Sequence, residues 1–480
     1  IRVYNGADFS SEDVKLVPMK DYSYFNGLAL AGGAFMSRGE NMGIDFSGTY
    51  LKGLNVASPF SLVFSPSLDN GRTRYTKGSG SAGIGFEAFS MGYLNCGGIN
   101  NWYESSTAPY PMFDMLTKET GFHPRTSKLT KDMMESAGYW IPSKYNNYGS
   151  IAEYTACREN VIVMDLSSLK KFEITGPDAE ELMNTALTRN IKKLSIGQVV
   201  YSALCYENGT MIDDGTLYRL TEHNFRWICG SDYSGEWLRE LASKLNLSVW
   251  IKTSTDQLHN ISVQGPNSRK LLSKIIWTPP DSPNVNDLNW FNFSISRIGD
   301  HKGSPLMVSR TGYTGELGYE LYCHPKDATT IWDSVWEAGQ EFNITPMGFE
   351  ALDMLRIEAG LVLGGNEFSD ETDPFEAGIG FTVPLKSKDQ NFIGKEALIE
   401  RKAHPHRKLV GLEIEGNEKA SHGDCVHSGR GQVGIVTSGT LSPILNKNIA
   451  LCRVDINSAE LGTDLEIGTV SYTHLRAHET

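Results

Sequence analysis

The sequence predicts an α+β fold in which two related units are followed by a small C-terminal β-barrel. Two segments of the chain, 171–183 and 260–272, share one pattern. Alternating apolar residues are followed by a Gly-Pro turn, and then by charged residues mixed with Leu at helical spacing. Short strand-like runs separated by turn residues fill 408–468, as is typical of a small barrel or sandwich.

The two repeated segments read KFEITGPDAEELM and NISVQGPNSRKLL, and each predicts a strand, a turn and a helix. Pro177 and Pro266 suit the first positions of the two helices, where a missing N–H costs nothing. We therefore expect two related α+β units that pack together.

Two longer helices are predicted in the second half of the chain. Residues 325–342 form an amphipathic pattern in which one apolar face is typical of core packing. The residues on that face are Ala328, Ile331, Trp332 and Val335. Residues 348–363 predict a second helix, which carries Arg356 and Glu358. Turns are expected at 207–209, 428–431 and 437–439, where Gly, Asn and Ser cluster.

Residues 1–107 are rich in Gly, Ser, Asn and aromatic residues, and predict short strands and loops. Within them, residues 78–83 fit the pattern GxGxxG. The flanking residues do not supply the strand and the helix that a dinucleotide site needs, so we expect a loop there. Because the chain begins at Ile1 rather than Met, we also expect a truncated N-terminus.

The last eleven residues, 470–480, read VSYTHLRAHET and break the strand-like pattern before them. They resemble an in-frame translation of a sequencing adapter, so we expect an artefact in place of the native C-terminal strands. For the same reason we expect no metal site at His474, His478 and Glu479.

Composition excludes several classes of protein. A net charge of −13 argues against a general binder of nucleic acids or anionic membranes, so we expect neither as a partner. No apolar run approaches the roughly 20 residues that cross a membrane. The seven cysteines are scattered and form no CxxC motif, which disfavours a zinc site or a disulfide framework. A reducing compartment is expected, either the cytoplasm or, in a eukaryote, the mitochondrial matrix.

The segment 309–322, SRTGYTGELGYELY, has glycine at every third position between strand-like residues. Glycines at this spacing allow tight turns and a close approach to a flat ligand, on which Tyr313 can stack. The Glu320 carboxylate can accept two parallel hydrogen bonds from an amide N–H and an adjacent amino group, the edge that a pterin offers. Taken alone, the segment is equally typical of a glycine-rich turn between two strands.

Paired acids follow the predicted turn at 207–209. Asp213 and Asp214 interrupt a strand pattern, and neighbouring side chains of a strand face opposite sides. One carboxylate can therefore point into a cavity while the other faces solvent. The alternative is two acids at the mouth of a hairpin.

The segment 309–322 resembles the signature of the glycine-cleavage T protein family, the tetrahydrofolate-dependent aminomethyltransferases. This family includes the folate-binding halves of sarcosine and dimethylglycine oxidases, and the resemblance extends over residues 109–468. It implies two interlocked folate-binding units within 108–400 and a barrel within 401–469. These parts are expected in a cloverleaf-like arrangement around a central folate cavity.

The resemblance also implies roles for particular residues. Asp214 matches the catalytic carboxylate nearest the reactive folate nitrogens, whereas Asp213 is expected to face outward. Glu320 matches the pterin anchor. The residues implied to bind the cofactor are Tyr201, Cys229, Tyr313, Glu320, Arg356 and Phe381. Arg356 and Glu358 do not share a helix face, so each needs other partners, and a structural role for them is as well supported as ligand contact.

Two departures from the T protein affect the expected activity. Cys229 stands where that protein has asparagine, and Leu352 stands where it has arginine. Segments 124–145 and 345–360 look more like the folate half of sarcosine oxidase. In such enzymes a flavin domain makes an imine from an N-methyl amine, and the folate domain captures the one-carbon unit.

The resemblance therefore implies a tetrahydrofolate-dependent one-carbon transferase of the aminomethyltransferase type. Its expected donor is a small molecule such as sarcosine or dimethylglycine, or a glycine-derived carrier. The expected partners are a flavin amine-oxidase domain or subunit, or a lipoyl carrier protein. One alternative is a folate-dependent demethylase of a sulfonium or methyl-ether substrate. Another is a folate-binding regulatory protein, which is disfavoured because residues 195–201, SIGQVVY, lack the cysteine of its KGCYxGQ-type motif.

Overall fold

The computed structural model describes residues 117–468 and 474–479. The predicted loop at 78–83 and the strands expected within 1–107 lie outside these residues. The helices are α1 His123–Leu129, α2 Ser150–Glu159, α3 Ala179–Ala186, α4 Tyr233–Lys244, α5 Ser268–Ile275, α6 Ala328–Gly339, α7 Phe349–Glu358 and α8 Lys395–Ala403.

The strands are β1 Lys118–Glu119, β2 Met133–Ser136, β3 Tyr139–Pro142, β4 Val161–Asp165, β5 Lys170–Thr175, β6 Val199–Cys205, β7 Met211–Thr221, β8 Asn224–Cys229, β9 Trp250–Thr253, β10 His259–Gln264, β11 Ile276–Trp277, β12 Phe293–Ile298, β13 Pro305–Ser309, β14 Gly318–Cys323, β15 Ile344–Pro346, β16 Arg407–Ile414, β17 Cys425–Ser428, β18 Gly431–Ser442, β19 Lys447–Asp455, β20 Asp464–Gly468 and β21 His474–Glu479.

Two sheets, one antiparallel and one mixed, form the centre of the described region. One has five strands in the order β6-β7-β8-β5-β9, and the other has seven in the order β11-β12-β13-β14-β10-β4-β15. In each sheet the strand of the predicted repeat pairs antiparallel with the last strand of a three-stranded meander. Thus β5 lies beside β8, and β10 lies beside β14 in the same way. The prediction of two related α+β units is confirmed.

The turn that follows β5 and β10 is built in the same way in both units. Gly176 and Gly265 adopt positive φ angles of 143° and 120°, which residues with a Cβ rarely reach. Each glycine lies directly against the backbone of a neighbouring segment, Ser248 for the first and Asn160 for the second. The Gly-Pro signal in the sequence therefore marks a close crossing of two chain segments.

Helix packing covers one face of each sheet. Helices α3 and α4 bury apolar residues against the five-stranded sheet, and α5 and α6 do so against the seven-stranded sheet. The predicted apolar face of α6 is buried along its length, as expected. Helix α7 ends at Glu358, earlier than predicted, because Gly360 with a φ of 67° turns the chain out of the helix.

The C-terminal strands form a closed barrel in the order β16-β19-β18-β17-β20-β21, which confirms the predicted barrel. The expected turn at 428–431 joins β17 to β18. The turn expected at 437–439 is wrong, because these residues lie inside β18 at a bulge between Val436 and Ser438. Strand β21 pairs with β20 and β16 and closes the barrel. That residues 470–480 are an artefact stays a prediction.

The opposite faces of the two sheets meet each other within the described region, and α2 and α7 cover that face of the seven-stranded sheet only at β4. Tyr218 on β7 and Tyr322 on β14 are fully buried, and their hydroxyl oxygens lie 3.1 Å apart. Apolar residues from both sheets surround this contact. The two sheet faces that contact each other here carry the polar residues described next.

Candidate functional site

Asp214 and Tyr201 form the first part of the site, on the five-stranded sheet. The Tyr201 hydroxyl on β6 donates a hydrogen bond of 2.7 Å to Asp214 Oδ2 on β7. Phe381 packs edge-to-face against the Tyr201 ring, with centroids 6.1 Å apart, and is itself 64% exposed. Asp214 keeps partial contact with solvent although it lies deep in the fold, as a residue that lines a cavity does.

The surroundings of Asp214 favour its protonated form. Burial, followed by the negative charge of Asp213, raises the pKa of Asp214 to about 7, while the hydrogen bond from Tyr201 opposes the shift. A carboxyl group with a pKa near neutrality can both give and take a proton at physiological pH. This property is common at catalytic sites.

Tyr313 lies in the glycine-rich loop between β13 and β14. Its hydroxyl donates to the backbone carbonyl of Val362, and its ring packs partly against the apolar cluster of α2 and α7. Burial and then the charge of Asp214 raise the pKa of Tyr313, so the two side chains lie within electrostatic reach of each other. The structure therefore brings Asp214, Tyr201 and Phe381 together and places Tyr313 within electrostatic reach of Asp214.

Glu320 forms the second part of the site, on β14 of the seven-stranded sheet. Tyr322, two residues along the same strand face, donates a hydrogen bond of 2.6 Å to Glu320 Oε1 and contacts Tyr218. Burial raises the pKa of Glu320, and the hydrogen bond from Tyr322 opposes this shift. The tyrosine pair thus connects the Glu320 carboxylate to the sheet that carries Asp214.

Lys171 on β5 also lies in this buried region. The sequence did not predict this position, because a lysine in a strand is normally exposed. Its Nζ donates to the carbonyls of Ser167 and Leu169. Burial lowers the pKa of Lys171 to about 7, and the charges of Asp165 and Glu320 oppose that shift. Glu320 therefore has within electrostatic reach a buried amine that is only partly protonated at neutral pH.

The expectation that Asp213 faces outward is wrong. Strand alternation does send the two acids to opposite faces, but the Asp213 face is covered by the start of α4. Asp213 is only 5% exposed and accepts hydrogen bonds from Ser231 N, Ser234 Oγ and the backbone N–H of Asp214, at 2.9, 2.7 and 2.9 Å. A sequence pattern gives the alternation but not the helix that covers one side.

Cys229 does not lie with the predicted site residues. It is opposite Gly215 on the neighbouring strand, so it shares the face of Asp213 rather than that of Asp214. Its Sγ lies 3.5 Å from the carbonyl of Ser231, within the apolar cluster under α3 and α4. The predicted contact between Cys229 and a ligand of the Asp214 face has no support in this geometry.

Arg356 and Glu358 find separate partners, as their spacing predicts. Arg356 is 2% exposed and donates to Asp353, to the carbonyl of Leu361, to Glu367 and to Ser438 on β18. Glu358 accepts hydrogen bonds from Tyr154, Arg158 and Ser442. Both residues therefore connect α7 to other parts of the fold, and the donors of Arg356 are largely occupied by the protein.

The glycines of the 309–322 segment have a different purpose from the one expected. A Cβ at Gly312 or Gly318 would collide with the side chain of Gln264. This amide is fully buried, accepts a hydrogen bond from Thr314 and donates to Ser262 and to the carbonyl of Thr311. The expectation that glycines make room for a flat ligand is wrong for Gly312 and Gly318, because the side chain of Gln264 from β10 fills that space.

Residues 117–468 contain neither a group of candidate metal ligands nor a helix that could span a membrane. Within residues 117–468, no three or more His, Cys, Asp or Glu side chains are grouped so as to hold a metal ion. None of the helices in this part of the chain is long and apolar enough to cross a membrane.

Comparison with known protein families identifies the fold. Residues 122–387 match the GCVT N-terminal domain, and residues 407–478 match the glycine cleavage T-protein C-terminal barrel domain. An aminomethyltransferase of Symbiobacterium thermophilum is 37% identical over 359 residues, which are 73% of this chain and 92% of that protein. The chain belongs to the glycine cleavage T-protein family. Its relatives are enzymes, this chain is one as well, and the family binds folate in general.

Another relative shares more sequence with the chain. The trimethylamine-oxide aldolase of Ruegeria pomeroyi is 60% identical over 353 residues, which are 74% of this chain but only 45% of that protein. The chain therefore spans less than half the length of this relative. The crystal structure of the glycine cleavage system aminomethyltransferase T from Bartonella henselae has a TM-score of 0.67 at 24% identity. It covers 76% of this chain and 96% of its own, and shows the same fold.

Proposed function

We propose that the chain binds tetrahydrofolate between its two sheets and transfers a one-carbon unit from an amine donor. The observation that carries this proposal is the hydrogen-bonded pair of Asp214 and Tyr201 on the face of one sheet that meets the face of the other sheet carrying Glu320. It places a carboxyl group with a pKa of about 7 in a partly solvent-accessible position, next to aromatic side chains. Family membership supports folate as the cofactor.

The donor set fits a reduced folate. Glu320 is a buried carboxylate that can accept two hydrogen bonds from the pterin edge, and Tyr322 holds one of its oxygens in place. Tyr201, Tyr313 and Phe381 supply aromatic surface for a flat ligand. Tetrahydrofolate would supply the nitrogens that take up the one-carbon unit.

Asp214 is the group that would handle protons in this site. With a pKa of about 7 it is present in both protonation states at neutral pH, and Tyr201 keeps Oδ2 in a fixed orientation. Such a group can remove a proton from a reacting nitrogen and return one to a leaving group. The partial burial of Asp214 strengthens its electrostatic effect on any charge that develops nearby.

We further propose that the one-carbon unit comes from a methylated amine or its N-oxide. The relative with 60% identity is named for trimethylamine oxide, whereas the aminomethyltransferase of Symbiobacterium thermophilum shares 37%. Cleavage of a methyl group from trimethylamine N-oxide leaves dimethylamine and a carbon at the oxidation level of formaldehyde. A flavin amine oxidase that supplies the same carbon from sarcosine or dimethylglycine is the alternative source.

A glycine-derived carrier is the second candidate, because the chain covers 92% of the aminomethyltransferase relative but 45% of the trimethylamine-oxide aldolase. The two candidates differ in partner. Glycine cleavage needs a lipoyl carrier protein that presents an aminomethyl group. Transfer from a loaded lipoyl carrier, but not from formaldehyde, would favour this candidate.

The proposed function is tested first by binding. Titration calorimetry with tetrahydrofolate, after treatment of the protein with a chelator, should show saturable binding without added metal. The donor is then identified by following the loss of free tetrahydrofolate with formaldehyde, sarcosine, dimethylglycine or trimethylamine N-oxide. A folded protein that shows no binding up to millimolar tetrahydrofolate would contradict the proposal.

A further inference from the structure

Asp213 is the buried acid that the proposed reaction does not use. Three donors converge on its carboxylate: Ser231 N and Ser234 Oγ on Oδ2, and the backbone N–H of Asp214 on Oδ1. Asp214 receives one side-chain hydrogen bond, from Tyr201. Hydrogen bonds to a carboxylate favour its charged form, so the pair loses its first proton mainly from Asp213.

We propose that Asp213 is a positioning residue for Asp214, whose backbone it fixes and beside which it holds a buried negative charge. This inference rests on the proposed function, because it assigns Asp213 the task of keeping Asp214 in its proton-exchanging range. Asp213 itself faces the interior under α4, away from the ligand side of the sheet.

The geometry makes the charge of Asp213 effective. The two residues are neighbours in one strand; the Asp213 side chain is buried, and that of Asp214 is partly buried. Like charges at such short range in a medium of low polarity repel strongly. The second proton therefore leaves Asp214 only at a higher pH, because the charge of Asp213 adds to burial in raising the pKa of Asp214.

The other groups around the pair oppose this effect or act weakly. Tyr201 from β6 donates to Asp214 and favours its charged form, and Tyr313 faces Asp214 from the loop after β13. Burial raises the pKa of Asp213, and the hydrogen bonds from Ser234 on α4, from the backbone of Ser231 and Asp214, and from Cys229 on β8 oppose that rise by favouring the charged form.

The test is a direct titration of Asp214. Protein labelled with ¹³C at the aspartate carboxyl carbon gives a signal for Asp214, which is assigned by its absence in Asp214→Asn. In Asp213→Asn the midpoint of this signal should fall by on the order of one pH unit, the size of shift a close like charge causes. The limb of the pH–kcat profile set by Asp214 should move to lower pH by the same amount.

Two controls separate charge from packing. Ser234→Ala removes one donor to Asp213 but keeps its charge, so the Asp214 midpoint should not fall. Asp213→Glu keeps the charge and should restore a midpoint near that of the wild type. If Asp213→Asn does not fold, Asp213→Ser removes the charge and leaves room for a water molecule, and the same fall in midpoint is expected.

The outcomes distinguish this inference from the proposed function. An Asp214 midpoint that is unchanged in a folded Asp213→Asn or Asp213→Ser overturns the inference, even when tetrahydrofolate binding and turnover are normal. A lowered midpoint with unchanged tetrahydrofolate affinity and a shifted kcat profile supports it. Failure of the wild type to bind tetrahydrofolate overturns the proposed function, and with it the task given to Asp213. The titration would still show whether the charge of Asp213 raises the pKa of Asp214.

Discussion

The raised pKa of Asp214 suits proton exchange at neutral pH, but it also makes the folded protein less stable as pH rises. Its pKa rises from an ordinary 3.8 to about 7 on folding, so the native protein binds this proton more tightly than the unfolded chain does. Between pH 4 and pH 7 the contribution of Asp214 to stability is therefore lost as pH rises. Below the unfolded pKa it is fully present.

Asp214→Asn should remove this dependence. Above pH 7 we expect the variant to be more stable than the wild type, by on the order of 4 kcal/mol at most, since each pKa unit corresponds to about 1.4 kcal/mol. The difference should shrink towards pH 4. Turnover should fall by about 10²-fold or more, because proton transfer is lost. Thermal unfolding at several pH values checks the first part, and a stability difference independent of pH would contradict it.

Glu320→Gln keeps the shape of the side chain and removes its charge. Losing a hydrogen bond to a charged group costs about 1.5–3 kcal/mol, so tetrahydrofolate affinity should fall roughly 10- to 150-fold in calorimetry. The matched control is Tyr322→Phe, which removes the donor to Glu320 but leaves the carboxylate. Affinity should fall less in this variant than in Glu320→Gln. Unchanged affinity in Glu320→Gln would show that the residue is only part of the strand.

At the scale of single elements, the glycine-rich loop is shaped by a strand that is distant in sequence. Gly318→Ala should destabilise the protein by about 1–3 kcal/mol, the usual cost of forcing extra atoms into a packed site. The reason is the collision between the new Cβ and Gln264. If the collision is the cause, Gly318→Ala should lower the free energy of unfolding less in a Gln264→Ala background than in the wild type. The effects of the two substitutions should then be non-additive in urea unfolding.

The control for this experiment is Gly360→Ala, at a positive φ where nothing lies within 4 Å of the added Cβ. Its cost comes from backbone strain alone, so Gln264→Ala should not alter it. Additive effects of Gly318→Ala and Gln264→Ala would mean that the glycine serves another purpose, such as contact with the ligand.

These elements show what the sequence can and cannot predict. The repeat, the apolar face of α6 and the barrel follow from local periodicity, and all are present. The resemblance implies that Tyr201 and Asp214 belong to one site, and strand alternation allows Asp214 to face it. The burial of Asp213, the orientation of Cys229 and the filling of space by Gln264 depend on elements far away in the chain. No local pattern carries that information.

At the scale of the whole described region, a buried ionic network connects the two α+β units to the barrel. Arg356 on α7 pairs with Glu367, which is fully buried, and both contact Ser438 on β18. Arg158 and Ser442 make a second connection through Glu358. The barrel strand β18 is thereby held at two points against α7.

This network allows a test of whether Arg356 binds folate or only connects the units. Glu367→Gln leaves a buried arginine without its main counterion, and should lower the free energy of unfolding by about 3–5 kcal/mol. Replacing both partners, with Arg356→Met and Glu367→Leu, leaves no unpaired buried charge, so stability should stay within about 1–2 kcal/mol of the wild type. If Arg356 is structural, the double variant should bind tetrahydrofolate with wild-type affinity. A large loss of affinity in this stable double variant would instead place Arg356 in contact with the cofactor, as the resemblance implies.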